Sequence, residues 1–394
     1  MQSGLQSEAQ IKRYPYSMKC LTLAIVALLL TSCVPSVYDP YPVEAVVLPE
    51  DDGAHTAPIE WWYYTGHFED EAGTEYGFEL TFFKAYAPQN LKLFGFLPAY
   101  AIAEKGHVAH FAITDVTNQN FEKAQKADFW GYEGEAARGR LDVSLSNWSA
   151  KRAPDGVSHD IVASVGDRTL SLRLTPEKDA ALHGDPPGIQ SMGEGGTSYY
   201  VSYTRMSAEG ELRSGCGFFG CAETQAVTGQ GWHDHQWGDF DVTSYAGWDW
   251  FSLQFEDNTE LMLYLIRQPN GTYSAQAGSF VRADGRVVEL ESNDFTLSET
   301  GATWTSEDTG AIYPMSWQIE VPNFDIDIEV EPVMLEQEMN TRASTGIVYW
   351  EGAVGIEGNR DGKGYVELTN YDLYPYGQTD DSTPLKPLRG PFGG

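Results

Sequence analysis

From Ile59 onward the chain is a succession of short runs in which apolar and polar residues alternate, each broken by Gly, Asp or Asn. The runs fall at 59–68, 76–83, 107–114, 141–145, 170–174 and 199–203, then at 248–255, 261–266, 279–282, 324–330, 346–354 and 364–368. A period of two puts successive side chains on opposite faces of a strand. Strands at this spacing, with no long 3.6-residue pattern between them, predict an all-β sandwich or barrel. At 394 residues the chain exceeds one ordinary core, and two domains are expected.

An internal repeat locates the two halves. Residues Trp61–Asp70 align without gaps on Trp248–Asp257, and after a two-residue deletion the apolar run from Tyr76 falls on the one from Leu261. Two hairpins of similar design fit a duplicated β-domain, although convergent hairpin grammar would give the same pattern. The expected division is 50–235 for the first domain and 236–376 for the second, with 377–394 a Pro- and Gly-rich tail that frays.

The N-terminus reads as an address. Met18-Lys19 precedes an apolar run from Cys20 to Leu30, and Leu30-Thr31-Ser32-Cys33 follows. The run is too short to span a bilayer. Its pattern is similar to a bacterial lipoprotein signal starting at Met18, with residues 1–32 removed and Cys33 lipidated; an ordinary cleaved signal is the alternative. Residues 33–49, with four prolines, read as a tether. The expectation is an exported lipoprotein, anchored to the outer membrane and facing the periplasm. Cys216 and Cys221 then remain, and in an oxidising compartment they are expected to pair as a disulfide.

Charge narrows the partners. With 57 acidic against 25 basic residues the formal charge is −32, which repels nucleic acid and anionic lipid headgroups. Aromatic residues make up 13% of the chain, enough for large apolar surfaces that line a pocket or fill a core.

The densest chemistry lies in Gly229–Phe240, which holds Trp232, His233, Asp234, His235 and Trp237. In an extended strand His233, His235 and Trp237 share one face, while Trp232, Asp234 and Gln236 share the other. Acid/base chemistry, a metal pair and structural packing are all open readings. A metal held by His233 and His235 would need a third ligand such as Asp249, Glu79, His67 or His110. The second string is Glu60-Trp61-Trp62-Tyr63-Tyr64, where alternation groups Glu60, Trp62 and Tyr64 against Trp61, Tyr63 and His67. A carboxylate among rings loses hydration, which raises its pKa and suits it to general acid work, and ring faces attract a developing cation. Asp249 between Trp248 and Trp250, and Glu351 beside Trp350, repeat the theme and point to a shared aromatic cavity with acidic members. Independent core tryptophans would look the same. There is no Gly-x-Ser-x-Gly elbow, phosphate loop or dinucleotide fingerprint, and no cofactor is indicated.

Glu60–His67, His110–Asp115, Trp232-x-Asp234-His235-x-Trp237, Tyr349–Ala353 and Gly364–Leu368 resemble the AttH-like / carotenoid 1,2-hydratase (hydroxyneurosporene synthase) family, lipocalin-like proteins often labelled predicted secreted hydrolases. The resemblance covers about residues 49–371. It implies two tandem lipocalin-like β-barrel or sandwich domains. Relatives include carotenoid and kievitone hydratases, and fungal cyclases that fold polyenes between the domains. The family varies at the place of His233, which weakens the metal pair. A His-x-Trp element like His235 and Trp237, followed by a Tyr and an Asp, is implicated in hydratase catalysis. Tyr264 stands where the Tyr is expected, but position 266 is Ile, a departure from the carotenoid hydratase pattern.

The expectation is therefore a binder of an apolar, isoprenoid or lipid-like ligand, with hydratase- or isomerase-type acid catalysis. Asp234 or Glu60 would donate the proton and His235 would act as base. Trp61, Trp62, Tyr64, Trp237, Trp248, Trp250, Tyr264 and Trp350 would line the ligand. The alternatives are a non-catalytic carrier or accessory of an ABC-type transporter, and a metal-dependent hydrolase.

Overall fold

In a computed structural model, the described residues are 45–377 apart from 87–91, 94–96, 99–104, 192–195, 219 and 241–244, together with Lys386. Met18 and Cys33 lie outside them. Most of the described chain is strand, joined by turns and short 3-10 segments, with no α-helix among the described residues.

The first sheet is built from β1 (Ile59–Asp70), β2 (Glu75–Tyr86), β3 (Lys105–Asp115), β4 (Asn120–Asp128), β5 (Gly134–Ala136), β6 (Asp142–Leu145), β7 (Trp148–Arg152), β8 (His159–Val165), β9 (Arg168–Pro176), β10 (Gly196–Ser214) and β11 (Glu223–Phe240). Its order is β4-β3-β2-β1-β11-β10-β9-β8-β7-β6-β5, with antiparallel neighbours. The sheet curls until its flanks meet: Phe111 on β3 lies edge-on to Trp148 on β7, ring centroids 5.7 Å apart. Even-numbered residues of β1 and β2, among them Trp62, Tyr64, Phe68, Phe78, Leu80 and Phe82, fill the near-barrel.

The second sheet comprises β12 (Gly247–Phe255), β13 (Glu260–Arg267), β14 (Tyr273–Val281), β15 (Val287–Glu291), β16 (Thr296–Glu299), β17 (Trp317–Val321), β18 (Ile326–Pro332), β19 (Val348–Gly358) and β20 (Gly362–Thr369). Its order is β15-β14-β13-β12-β20-β19-β18-β17-β16, a half-barrel around Phe251, Leu263, Trp317 and Trp350. The molecule is thus two lipocalin-like domains in tandem.

The repeated hairpins are β1–β2 and β12–β13, and each turns through four residues. In the first turn the Asp70 carboxylate accepts the backbone N–H groups of Ala72 and Thr74; in the second Asp257 accepts that of Thr259. Gly73 and Asn258 supply the left-handed positions, with φ of 80° and 64°. The first hairpin packs against β19 and β20 and the second against β10, so that a buried seam forms between the domains. Tyr63, Trp232, Tyr200, Trp250, Met262, Tyr264 and Tyr365 pack together there.

The expected domain division after His235 falls inside β11; the change of sheet comes between Phe240 and Gly247. The end of the expected tether is docked, with Val46 and Leu48 packed near Trp237 and Val201. Cys216 and Cys221 are joined, closing the short loop that follows β10.

Candidate functional site

Strand β11 runs between β1 and β10, and its alternation divides the dense string as the period of two requires. His233, His235 and Trp237 point into the first barrel; Trp232 and Asp234 point into the seam. Asp234 and His235 therefore occupy opposite faces of one sheet.

Inside the barrel, Glu60 is fully buried and gathers four donors. The His55 backbone N–H donates at 3.1 Å, while His55 Nδ1 and His235 Nε2 lie 2.8 and 2.9 Å from Oε1. The Lys84 ammonium donates to Oε2. Burial opposes charge on Glu60, but Lys84 and the two imidazoles outweigh it and hold the carboxyl well below its ordinary range. The expectation of a raised pKa at Glu60 is thus corrected: the donors on its oxygens, not the rings around it, decide its state. Burial also opposes charge on His55, yet its bonds to Asp51 and Glu60 raise its pKa. His235 goes the other way, pushed down to about 4 by burial despite Glu60. The imidazole of His55 stacks on Trp237 at 3.9 Å, and His235 stacks on Trp62 at 4.8 Å.

Among the described residues, His55, Glu60 and His235 form one group whose donor atoms lie within 4.8 Å of one another. The chemistry does not favour a divalent ion there. The protons of the two imidazoles already bridge to Oε1, and an ammonium covers Oε2, so an ion would face Lys84 across the same carboxylate. The third ligands considered for a His233–His235 pair are elsewhere. His67, His110 and Glu79 bond or pack at the seam, and Asp249 is tied to Arg267 and Tyr371 in the second domain.

On the seam side, Asp234 is 3% exposed. Its Oδ1 accepts Ser202 Oγ at 2.5 Å and Trp232 Nε1 at 2.6 Å, and its Oδ2 accepts Tyr200 OH at 2.5 Å. Trp250 Nε1 in turn donates to Tyr200 OH at 2.9 Å, so the second domain reaches the acid through one phenol. Burial drives the Asp234 carboxyl up to about 7, against the three hydrogen bonds that favour its charged form. A buried acid that exchanges its proton near neutrality suits general acid work.

Three further carboxyls share the seam. Glu351 accepts the Tyr63 hydroxyl, Glu79 accepts Thr81 Oγ1 at 2.5 Å, and Glu367 is the cross-strand partner of Glu351. Burial lifts Glu79 to about 8 and Glu367 to about 7, and burial with the two neighbouring carboxyls lifts Glu351 well above its usual value.

The expected shared aromatic cavity resolves into three environments. Trp61, Trp248, Trp250 and Tyr264 belong to the seam, where Gln190 Nε2 donates to the Tyr264 hydroxyl at 2.5 Å. Trp62 and Tyr64 fill the first barrel, and Trp237 packs at its mouth. Trp350 is in the second core, its indole N–H donating to Leu335 O at 2.7 Å. The reason is geometric, since neighbours on a strand face apart, as do Trp61 and Trp62. His55, Lys84, Tyr200 and Ser202 belong to no motif, so the sequence pattern does not mark them. Lys84 had a signal, because the four-residue turn after Asp70 fixes a register that sets it opposite Glu60.

Among the described residues, clefts open to the surface at two places relevant here. One, of about 970 Å³, lies at the turn end of the seam beside His67, Gln254 and Lys363. The other, of about 810 Å³, is bordered by Val46, Leu48, Arg152 and Tyr203. Neither is lined by Asp234, His235 or Glu60.

The comparisons with known proteins agree with this architecture. An AttH-type protein, NE1406 from Nitrosomonas europaea, superposes with a TM-score of 0.73 at 30% identity, covering 84% of this chain and 99% of that one. Kievitone hydratase from Nectria haematococca gives 0.61 at 16% identity, over 82% of this chain and 92% of its own. CghA with Sch210972 gives 0.50 at 12% identity, over 83% and 94%. No curated protein matches the sequence. The family model described as AttH-like matches residues 39–371, and the chain belongs to the AttH-like family.

Proposed function

We propose that this protein binds an apolar, isoprenoid or lipid-like small molecule at the aromatic seam and that Asp234 donates a proton to it in a hydratase- or isomerase-type reaction. One observation carries this reading: a buried carboxyl poised near pH 7, set among the rings of Trp232, Tyr200 and Trp250. Protonation of a carbon–carbon double bond by Asp234 leaves a carbocation, which ring faces stabilise. Water then adds and sheds a proton, or a neighbouring carbon loses one, and in either case the Asp234 carboxylate takes that proton and is restored to the acid. Kievitone hydratase shares the fold, so addition of water is a chemistry the architecture can host. In this reading Glu60 and His235 hold β1 against β11 from behind the sheet and do not touch the ligand.

The test pairs binding with turnover. Purified protein and an Asp234→Asn variant are incubated with isoprenoid polyenes, with Trp fluorescence reporting binding and heavy-oxygen water reporting addition. Binding by both and incorporation by the wild type alone is expected. Equal incorporation by both would remove Asp234 from the chemistry. The burial of Asp234 away from the open clefts favours a second reading, a non-catalytic carrier serving a membrane transporter; it predicts binding by both and turnover by neither.

We further propose that the chain is exported and lipidated at Cys33, facing the periplasm from the outer membrane. Radiolabelled palmitate should enter the wild type and not Cys33→Ser. Equal labelling of both would end that proposal.

A further inference from the structure

We propose that the seam contains a buried site for water and exchangeable protons, built by Thr65, Glu79, Glu351 and Tyr365 from both domains. Thr65 and Glu79 are direct partners on β1 and β2, and Glu351 and Tyr365 face them from β19 and β20. Thr65 Oγ1, Glu79 Oε2 and Glu351 Oε2 are buried with no hydrogen-bond partner from the protein, and the Tyr365 hydroxyl, though near Thr114, makes no hydrogen bond of ordinary geometry. Buried polar atoms are rarely left so, and four of them on facing strands match the two to four polar partners that an internal water takes.

The bonds that are made fit the same picture. Glu79 receives Thr81 and Glu351 receives Tyr63, each on Oε1, so each has Oε2 left to carry a proton and donate it. Glu351 and Glu367 are cross-strand partners, and Glu367 is in turn the partner of Trp250. A row of acids therefore runs from Glu79 through Glu351 and Glu367 towards Asp234, which is close enough to raise the Glu367 pKa.

Among the described residues no cation pairs with this row; Arg205 and Lys178, which reach across from the first domain, are bound to Glu260. The titratable groups around it include Tyr63 and His67 on β1, His110 on β3, Tyr200 on β10, Asp234 on β11, Asp249 on β12 with its partner Arg267 on β13, Tyr349 on β19, and Tyr365 and Lys363 on β20. Burial holds His67 and His110 neutral, at about 4 and about 3. Lys363 is half exposed and paired with Glu75 at 3.0 Å. Carboxyls so placed cannot all ionise together, so the row retains protons at neutral pH. That this store delivers water and protons to Asp234 rests on the function proposed above; that it exists does not.

The test is carbon NMR of the full chain carrying labelled Glu carboxyls, titrated between about pH 5 and 9. At least two Glu carboxyls should titrate at or above neutrality. In Glu367→Gln one of these signals should vanish and that of Glu79, which the Glu367 charge raises, should move down by roughly a unit. Magnetisation transfer from water to the Tyr365 ring should mark long-lived water in the wild type and weaken in Thr65→Val. Titration of every glutamate in the ordinary carboxylate range, or no water signal at Tyr365, would overturn the proposal. The wild-type titration stands even where a variant does not fold. It needs no ligand, so its failure is separable from failure of the catalytic reading.

Discussion

Replacing Asp234 by asparagine should change the pH dependence of stability more than stability itself. Below neutrality the carboxyl is protonated, and asparagine reproduces its shape, one acceptor and one donor included. Asparagine can accept Ser202 Oγ and Trp232 Nε1 on its oxygen and donate towards Tyr200. The folded pKa of about 7 exceeds the reference value of 3.8. Between those values the native state keeps a proton that the unfolded chain has lost. The contribution is therefore fully present below the unfolded pKa and is lost as pH rises through the folded one. Three units at about 1.4 kcal/mol each give ~4 kcal/mol, of which ~3 kcal/mol falls between about pH 5 and 8. At 3% exposure, solvent screening removes little of it. Urea unfolding of both proteins across that range should show the variant gaining on the wild type by that order as pH rises. A stability difference that stays constant with pH would refute the reasoning, since Asp234 would then titrate alike in both states.

Lys84→Met removes the ammonium from a fully buried carboxylate and should cost ~3–5 kcal/mol in urea unfolding, the usual penalty for stranding one member of a buried pair. The Glu60 pKa is depressed, so its stabilisation is present above the unfolded value of 4.5 and is lost as pH falls below it; Glu60→Gln should flatten that acid limb. Gly77→Ala would place a methyl 2.4 Å from the Tyr365 hydroxyl and 3.0 Å from Ala353 Cβ. Pushing the domains apart there should cost ~1–3 kcal/mol, read as a lower Tm.

The alternation of apolar and polar residues carried much of this architecture. It separated His235 from Asp234 and Trp61 from Trp62 onto opposite faces, and the matched Trp61 and Trp248 runs became two hairpins that both border the seam. Period alone cannot say which face meets what. The barrel side and the seam side of β1 are both buried, so both read as aromatic and neither betrays its partner. Neither do carboxylates beside indoles share one fate. Glu60 is ionised by Lys84, Asp249 is tied to Arg267, and Asp234 and Glu351 have no cation at hand; those differences are set by residues distant in sequence. The domain boundary was displaced because β11 continues past His235 to pair Trp237 with both Glu60 and Tyr199.

The central claim is that the seam accommodates an apolar ligand beside Asp234. Mass spectrometry of organic extracts from the natively expressed, purified protein tests it most directly, with Trp250→Ala as the control that opens the seam wall. The account predicts an isoprenoid or acyl-chain compound in amounts comparable to the wild-type protein and depleted in the variant. Extracts of the wild type that hold no apolar compound above the level of an unrelated protein would contradict it.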